Sequence, residues 1–248
     1  TNAAFIIDAF TFALSAILLR KLSIPQTVED DLKGPLLTTA FKNIRKGWAR
    51  IYGEKRLLRI VFAKSSWNIA GGGLAGVFLL VAGSDIDGFG MALGFGIFFF
   101  ARGIGTGIGP IVSRRFFLDE ERWPVLVGLL VSVSGLFYFL VGWTLGFNLY
   151  LTVVLVILAH SASGANWVLS TILTQRRVED EMRGRVFSID MLFMSIAFSI
   201  STSVAGYLVE NHNLGISDGI MMFGSIMVLS GIMFTVWNPG NSIPAMQS

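Results

Sequence analysis

The stretch from 124 to 147 contains no Asp, Glu, Lys, Arg or His, and the next, from 149 to 174, contains only His160. A soluble helix needs a polar face, so helices that are apolar all round belong in a large core or in a bilayer. A hydrocarbon layer of roughly 30 Å takes about 20 apolar residues in a helix. Seven runs approach or exceed that length, at about 2–19, 57–82, 88–112, 124–147, 149–174, 186–209 and 216–237. Each run is continuous rather than alternating, and backbone groups in lipid must bond within their own segment. The expected fold is therefore an all-α integral membrane protein.

Composition agrees with this reading. Charged residues make up 14% of the chain, against about 25% in soluble domains, and the mean hydropathy is +0.68. There is no cysteine, and two histidines leave little for a metal. We expect no metal, no cofactor and no enzyme, since no Ser/His/Asp set, carboxylate pair or ligand-spaced His cluster can be assembled. Thr1 lies inside an apolar run with no basic region or cleavage site around it, so the chain reads as a fragment.

The basic residues set an orientation. The largest share lies in the connection of 20–56. Arg114, Arg115 and Arg122 follow the third run, and Arg176, Arg177, Arg183 and Arg185 follow the fifth. The alternate connections, at 83–87, near Asn148 and at 210–215, carry no Lys or Arg. This is the positive-inside asymmetry, and it places the basic loops in the cytoplasm and Thr1 outside. The net charge of +3 is thus a topology signal with the lipid bilayer as partner, and not a sign of nucleic-acid binding.

In the long connection Leu37, Phe41, Ile44, Trp48 and Ile51 recur at helical spacing, with Lys42, Arg45, Lys46 and Arg50 on other faces. This predicts an interfacial amphipathic helix with Pro35 in its first turn. Gly34 and the acidic run Glu29, Asp30, Asp31 mark its approach. The domains expected are a truncated apolar helix at 1–19, a cytoplasmic loop at 20–56, a six-helix domain at 57–237 and a cytoplasmic tail at 238–248.

Charges inside apolar runs are expensive and point to function. Lys64 lies in the second run with Asn68 and Gly72 on the same helical face, and Arg102 enters the third run to a similar depth, so the two share an expected vestibule. His160 is near the middle of the fifth run, and Ser163, Asn166, Ser170 and Thr174 descend from it. Lys64, Asn68, Arg102, His160 and Asn166 are the candidates for a substrate cavity or gate. Ser195, Ser199, Thr202 and Gly206 in the sixth run read as packing residues, and Asp190 as a charge favoured near a helix start. The glycines at 71–73 and 76, and Gly103, Gly105, Gly107 and Gly109 before Pro110, lack the strand–turn–helix setting of a phosphate loop and predict close helix packing or a hinge.

Three segments carry a resemblance. The opening from Asn2 through Asp8 to Ser15 looks like the sixth helix of the major facilitator superfamily, in its proton-antiporting drug and siderophore exporters of the enterobactin-exporter and macrolide-efflux type. Arg102 to Pro110 with Ser113, Arg114 and Arg115 resembles the glycine-rich end of helix eight and its gating loop, with Ser113 where an Asp is expected. The stretch Val178-Glu-Asp-Glu-Met-Arg-Gly-Arg-Val186 is similar to the loop between helices ten and eleven, with Val178 in place of proline.

The resemblance covers nearly the whole chain. It implies a C-terminal six-helix bundle plus the helix before it, 1–19 being the last helix of an N-terminal half whose rest is missing. It implies alternating access between two halves and inverted repeats at 57–147 and 149–237. A small amphipathic molecule would leave in exchange for protons across a bacterial inner membrane, and the proton-coupling carboxylates would lie in the missing half. Arg114, Arg115, Asp180, Arg183 and Arg185 become cytoplasmic gate residues. A seven-helix receptor is the alternative that the count of runs allows.

Overall fold

The computed structural model describes residues 2–20, 35–84, 90–117 and 119–237. Among these residues every regular element is helical. The helices are α1 (Asn2–Leu19), α2 (Leu36–Gly53), α3 (Lys55–Gly73), α4 (Leu79–Ser84), α5 (Met91–Phe116), α6 (Trp123–Thr144), α7 (Leu149–Arg177), α8 (Asp180–His212) and α9 (Ile216–Val236). A π-helical turn at Leu74–Phe78 joins α3 to α4 without a break.

Six of these helical stretches are long and apolar enough to cross a membrane: Lys55–Ser84, Ala92–Phe116, α6, α7, α8 and α9. The chain is a multi-pass, all-α membrane protein. The first of the seven expected runs is a shorter apolar helix, Phe5–Leu19. Gly34, the acidic run Glu29 to Asp31, most of the connection at 83–87 and the tail at 238–248 lie outside the described residues.

The chain divides into two compact units, Thr1–Phe41 and Lys42–Ser248. The first holds α1, where Thr11 donates back to the Asp8 carbonyl, and the opening of α2, where Thr38 donates to the Pro35 carbonyl. The second holds the bundle.

Local chemistry sets the helix ends. Asn148 starts α7 by accepting the Leu151 N–H on its side chain at 3.0 Å. Pro124 occupies the first turn of α6, where its missing N–H costs nothing. Asn213, among the described residues the non-glycine one with positive φ (49°), ends α8 in the left-handed region that Asn tolerates.

In the bundle α6 runs along α9 and α5 along α7, while α3 touches α6, α7, α8 and α9. Glycine makes these approaches close. A Cβ at Gly109 would meet the Ser161 carbonyl of α7, one at Gly105 the Ile157 carbonyl, and one at Gly164 the Thr106 carbonyl at 2.6 Å. Thr106 is four residues before Pro110, so its carbonyl is the one that the proline leaves without a helical donor. Gly103 and Gly107 face open space, so the series divides into a packing pair and a free pair.

The π turn has a similar origin. Gly71, Gly72 and Gly73 weaken the end of α3, and Ser201 of α8 accepts the Gly73 N–H at 2.9 Å. Of the stripe on α8, Thr202 packs on Gly76, whereas Ser195 and Ser199 are exposed and Gly206 has nothing near it. The packing serine is Ser201, one residue away from the expected face.

Candidate functional site

Lys64 and Asp190 form the centre of the site. Lys64 is nine residues along α3 from Lys55 and Asp190 ten along α8 from Asp180, about 14 and 15 Å at the helical rise. With both helices starting from the same side, the two side chains arrive level. Nζ of Lys64 donates to Oδ2 of Asp190 at 2.7 Å, and their side chains are 4% and 1% exposed. Isolated charges do not persist in such a place, so each requires the other.

Helix α7 supplies the rest of the shell. The Lys64 ammonium stands 4.3 Å from the centre of the Trp167 ring and 3.4 Å from Thr171 Oγ1. An indole face attracts a cation through its quadrupole. Asn68 and Gly72 do share the Lys64 face: Asn68 is half-buried, and Gly72 lies against the Phe198 carbonyl and Ser201 of α8.

Asp190 is not merely a charge near a helix start. The helix begins at Asp180, inside the acidic stretch, and not at the first apolar residue near 186. The extra turns carry Asp190 into the bundle.

A second polar group lies higher on α7. Tyr138 Oη and His160 Nε2 are 2.6 Å apart, and Ser163 Oγ reaches His160 Nδ1 at 3.3 Å. Trp67 meets the His160 ring edge-on and donates from Nε1 to Ser134 Oγ at 3.1 Å. His160 is therefore a satisfied buried residue joining α3, α6 and α7. Ser170 and Thr174 bond carbonyls of their own helix.

Arg102 does not meet Lys64 through a shared partner. Its guanidinium lies 5.2 Å over Phe99 on its own helix. Asn166, 3% exposed, has no partner for its Oδ1.

The gate residues separate. Arg114 and Arg115 are exposed at the end of α5. Asp180 and Arg183 pair with each other at 2.6 Å within the first turn of α8, and Arg183 also donates to the Gln175 carbonyl. Arg185 reaches Asn43 of α2 at 3.1 Å.

The network that joins elements runs instead through Glu179 and Glu54. Arg50 donates to Glu179 at 3.0 Å, to Glu54 at 2.9 Å and to the Arg177 carbonyl at 2.5 Å, and Arg177 returns to Glu54 at 2.8 Å. Partial burial works against the Arg50 charge, but the hydrogen bonds to Glu179 and Glu54 outweigh it and raise its pKa. The Arg50 hydrogen bond, and after it the residue's own backbone, hold Glu179 below its ordinary 4.5.

This ties down the end of α2, which is more than an interfacial helix. Gly47 sits against Arg185 and Ile189 of α8, Ile51 is fully buried, and Trp48 packs on Phe62 and Phe193.

Sequence reasoning also passed over Arg59. It is 3% exposed and donates to the Phe234 carbonyl from Nε and Nη2. The available signal was a cation inside an apolar run. Among the described residues no three His, Asp or Glu side chains gather to hold a metal ion. No family profile, no curated protein and no solved structure matches the chain.

Proposed function

We propose that the chain is the C-terminal six-helix bundle, with the helix before it, of a solute transporter of the major facilitator type, working by alternating access in a bacterial cytoplasmic membrane. Its task in this reading is the efflux of a small amphipathic molecule in exchange for protons, and it is not an enzyme. The motifs at 102–115 and 178–186 support the family. Six helices long and apolar enough to cross a membrane agree with it.

The observation that carries the transport reading is the Lys64–Asp190 pair. Desolvating two charges costs several kcal/mol each even after relaxation, and well-packed apolar residues serve stability as well or better. A pair kept in the interior of an apolar bundle is best explained by a charge that must move or be exchanged there.

The test is transport of amphipathic fluorophores by the full-length gene product in sealed vesicles. Accumulation that depends on an imposed proton gradient is expected. Movement that persists when the gradient is collapsed rules out antiport, and no movement under any gradient rules out the transporter.

A further inference from the structure

Among the described residues three buried side-chain atoms lack a hydrogen-bond partner: Ser65 Oγ, Asn166 Oδ1 and Asp190 Oδ1. They belong to the three helices that meet at Lys64. Ser65 follows Lys64 on α3, Asn166 precedes the Trp167 whose ring the ammonium faces, and Asp190 is the ion-pair partner. The Asn and Asp oxygens are acceptors, and each of these two is left without a donor.

Only a small species can reach Asp190 Oδ1, because the side chain is 1% exposed. A proton is the smallest, and once bound it turns the unfilled acceptor into an O–H donor. The O–H bond forms on Oδ1, the hydronium that delivers it leaves as water, and the carboxylate becomes a neutral acid. The charge that holds the ammonium is then gone. Lys64 keeps its own proton and has two further partners in reach, Thr171 Oγ1 and the face of Trp167, which is 48% exposed.

We infer that Asp190 is a proton-binding residue within this bundle and that Lys64 is a tethered cation that exchanges with the proton, moving onto Thr171 and Trp167 when Asp190 is neutral. The assignment rests on the transport reading for its purpose, and it moves the coupling carboxylate into this half of the protein. Lys64 is the charged side chain in contact with Asp190. Of the other cations on these helices, Arg59 of α3 faces the end of α9, Arg176 of α7 lies over Trp123, Arg177 of α7 meets Glu54, Arg50 of α2 meets Glu54 and Glu179, Arg183 of α8 pairs with Asp180 and Arg185 of α8 meets Asn43.

The experiment is an infrared pH titration of the full-length protein in detergent, from about pH 9 to about pH 5, following the carbonyl band of a protonated carboxylic acid. Wild type is expected to gain the band together with a change in tryptophan emission. Asp190→Asn loses both. Lys64→Met shifts the band's titration upward by about one pH unit or more, because the neighbouring positive charge no longer favours the carboxylate.

The Lys64→Met/Asp190→Asn variant removes both charges at once, leaves no buried ion unpaired, and is expected to show no band. A band surviving in either variant that carries Asp190→Asn overturns the proposal, as does a titration that Lys64→Met leaves in place or lowers. A titrating Asp190 in a protein that moves no solute sinks the transport reading alone. Gradient-driven transport undiminished in Asp190→Asn sinks the proton site alone.

Discussion

Arg59 donates from Nε and from Nη2 to a single oxygen, the carbonyl of Phe234, at 2.9 and 2.7 Å, so the first turns of α3 close the last turn of α9. The final carbonyls of a helix have no partner in their own ladder, and a cation there also meets the negative end of the helix dipole. Arg59→Met leaves that carbonyl without its donor in a site where the arginine was 3% exposed. The expected loss is about 2–4 kcal/mol, the range for breaking a buried charged hydrogen bond. Arg59→Lys recovers only part of it, since an ammonium lacks the planar fork. Denaturant or thermal unfolding in detergent measures both; a methionine variant as stable as wild type would show that the cap contributes nothing.

The glycine series on α5 makes a sharper test, because neighbours in sequence differ in space. Gly109 lies against the Ser161 carbonyl, which does not give way as a flexible side chain does, whereas Gly107 faces nothing within 4 Å. Gly109→Val is expected to separate α5 from α7 and to lower the yield of folded protein severalfold. Gly107→Ala is expected to be neutral or to stabilise by up to about 1 kcal/mol, the usual advantage of Ala over Gly in a helix. Size-exclusion profiles and melting temperatures of the two variants decide the matter. Similar behaviour of both would mean that the helix contact is not set by this glycine.

The docked end of α2 has a pH sign that can be worked out. Glu179 has its pKa lowered from 4.5 by Arg50, so its contribution is fully present above 4.5 and is lost as pH falls through the lowered folded value. The protection of the amides of residues 43–53, taken as the exchange rate relative to the base-catalysed intrinsic rate at the same pH, is therefore expected to be flat around neutral pH and to fall only in acid. The Glu179 side chain is 64% exposed, which keeps the bond within the small range of surface pairs, up to about 1 kcal/mol. Glu179→Gln should accordingly raise exchange by at most about fivefold, and high salt should mimic part of that effect. A loss of protection between neutral and alkaline pH would contradict the assignment.

What was legible in the sequence followed from periods and lengths. The apolar run of 124–147 allowed only a bilayer or a large buried core around it, and α6 occupies nearly the same span. The basic loops, the glycine packing of α5 and the helical face shared by Lys64, Asn68 and Gly72 are one-helix properties, readable from spacing. Asp190 was not readable in the same way. Its partner is 126 residues away, and its depth depends on where α8 begins. Polar residues at a helix start do not fall under hydropathy, so the helix was placed six residues too late. Glu179 was passed over for Asp180 for a related reason. Which of two adjacent acids meets Arg50 depends on the docking of α2, and no local pattern encodes that.

Lys64 and Arg102 began as equivalent candidates, and the structure makes them different experiments. Lys64→Leu strands a carboxylate that is 1% exposed, so it is expected to reduce membrane abundance as well as transport. Adding Asp190→Asn removes the stranded charge and should restore much of the abundance while leaving transport low. Arg102 is half-buried over Phe99 and holds no ion pair among the described residues, so Arg102→Leu should leave abundance near wild type and lower transport alone if its charge serves the cavity. Quantitative immunoblots of membranes beside vesicle flux separate the two effects. Equal losses of abundance and flux in Arg102→Leu would make that arginine a packing residue. Full flux in the doubly neutral variant would remove the Lys64–Asp190 pair from the transport cycle.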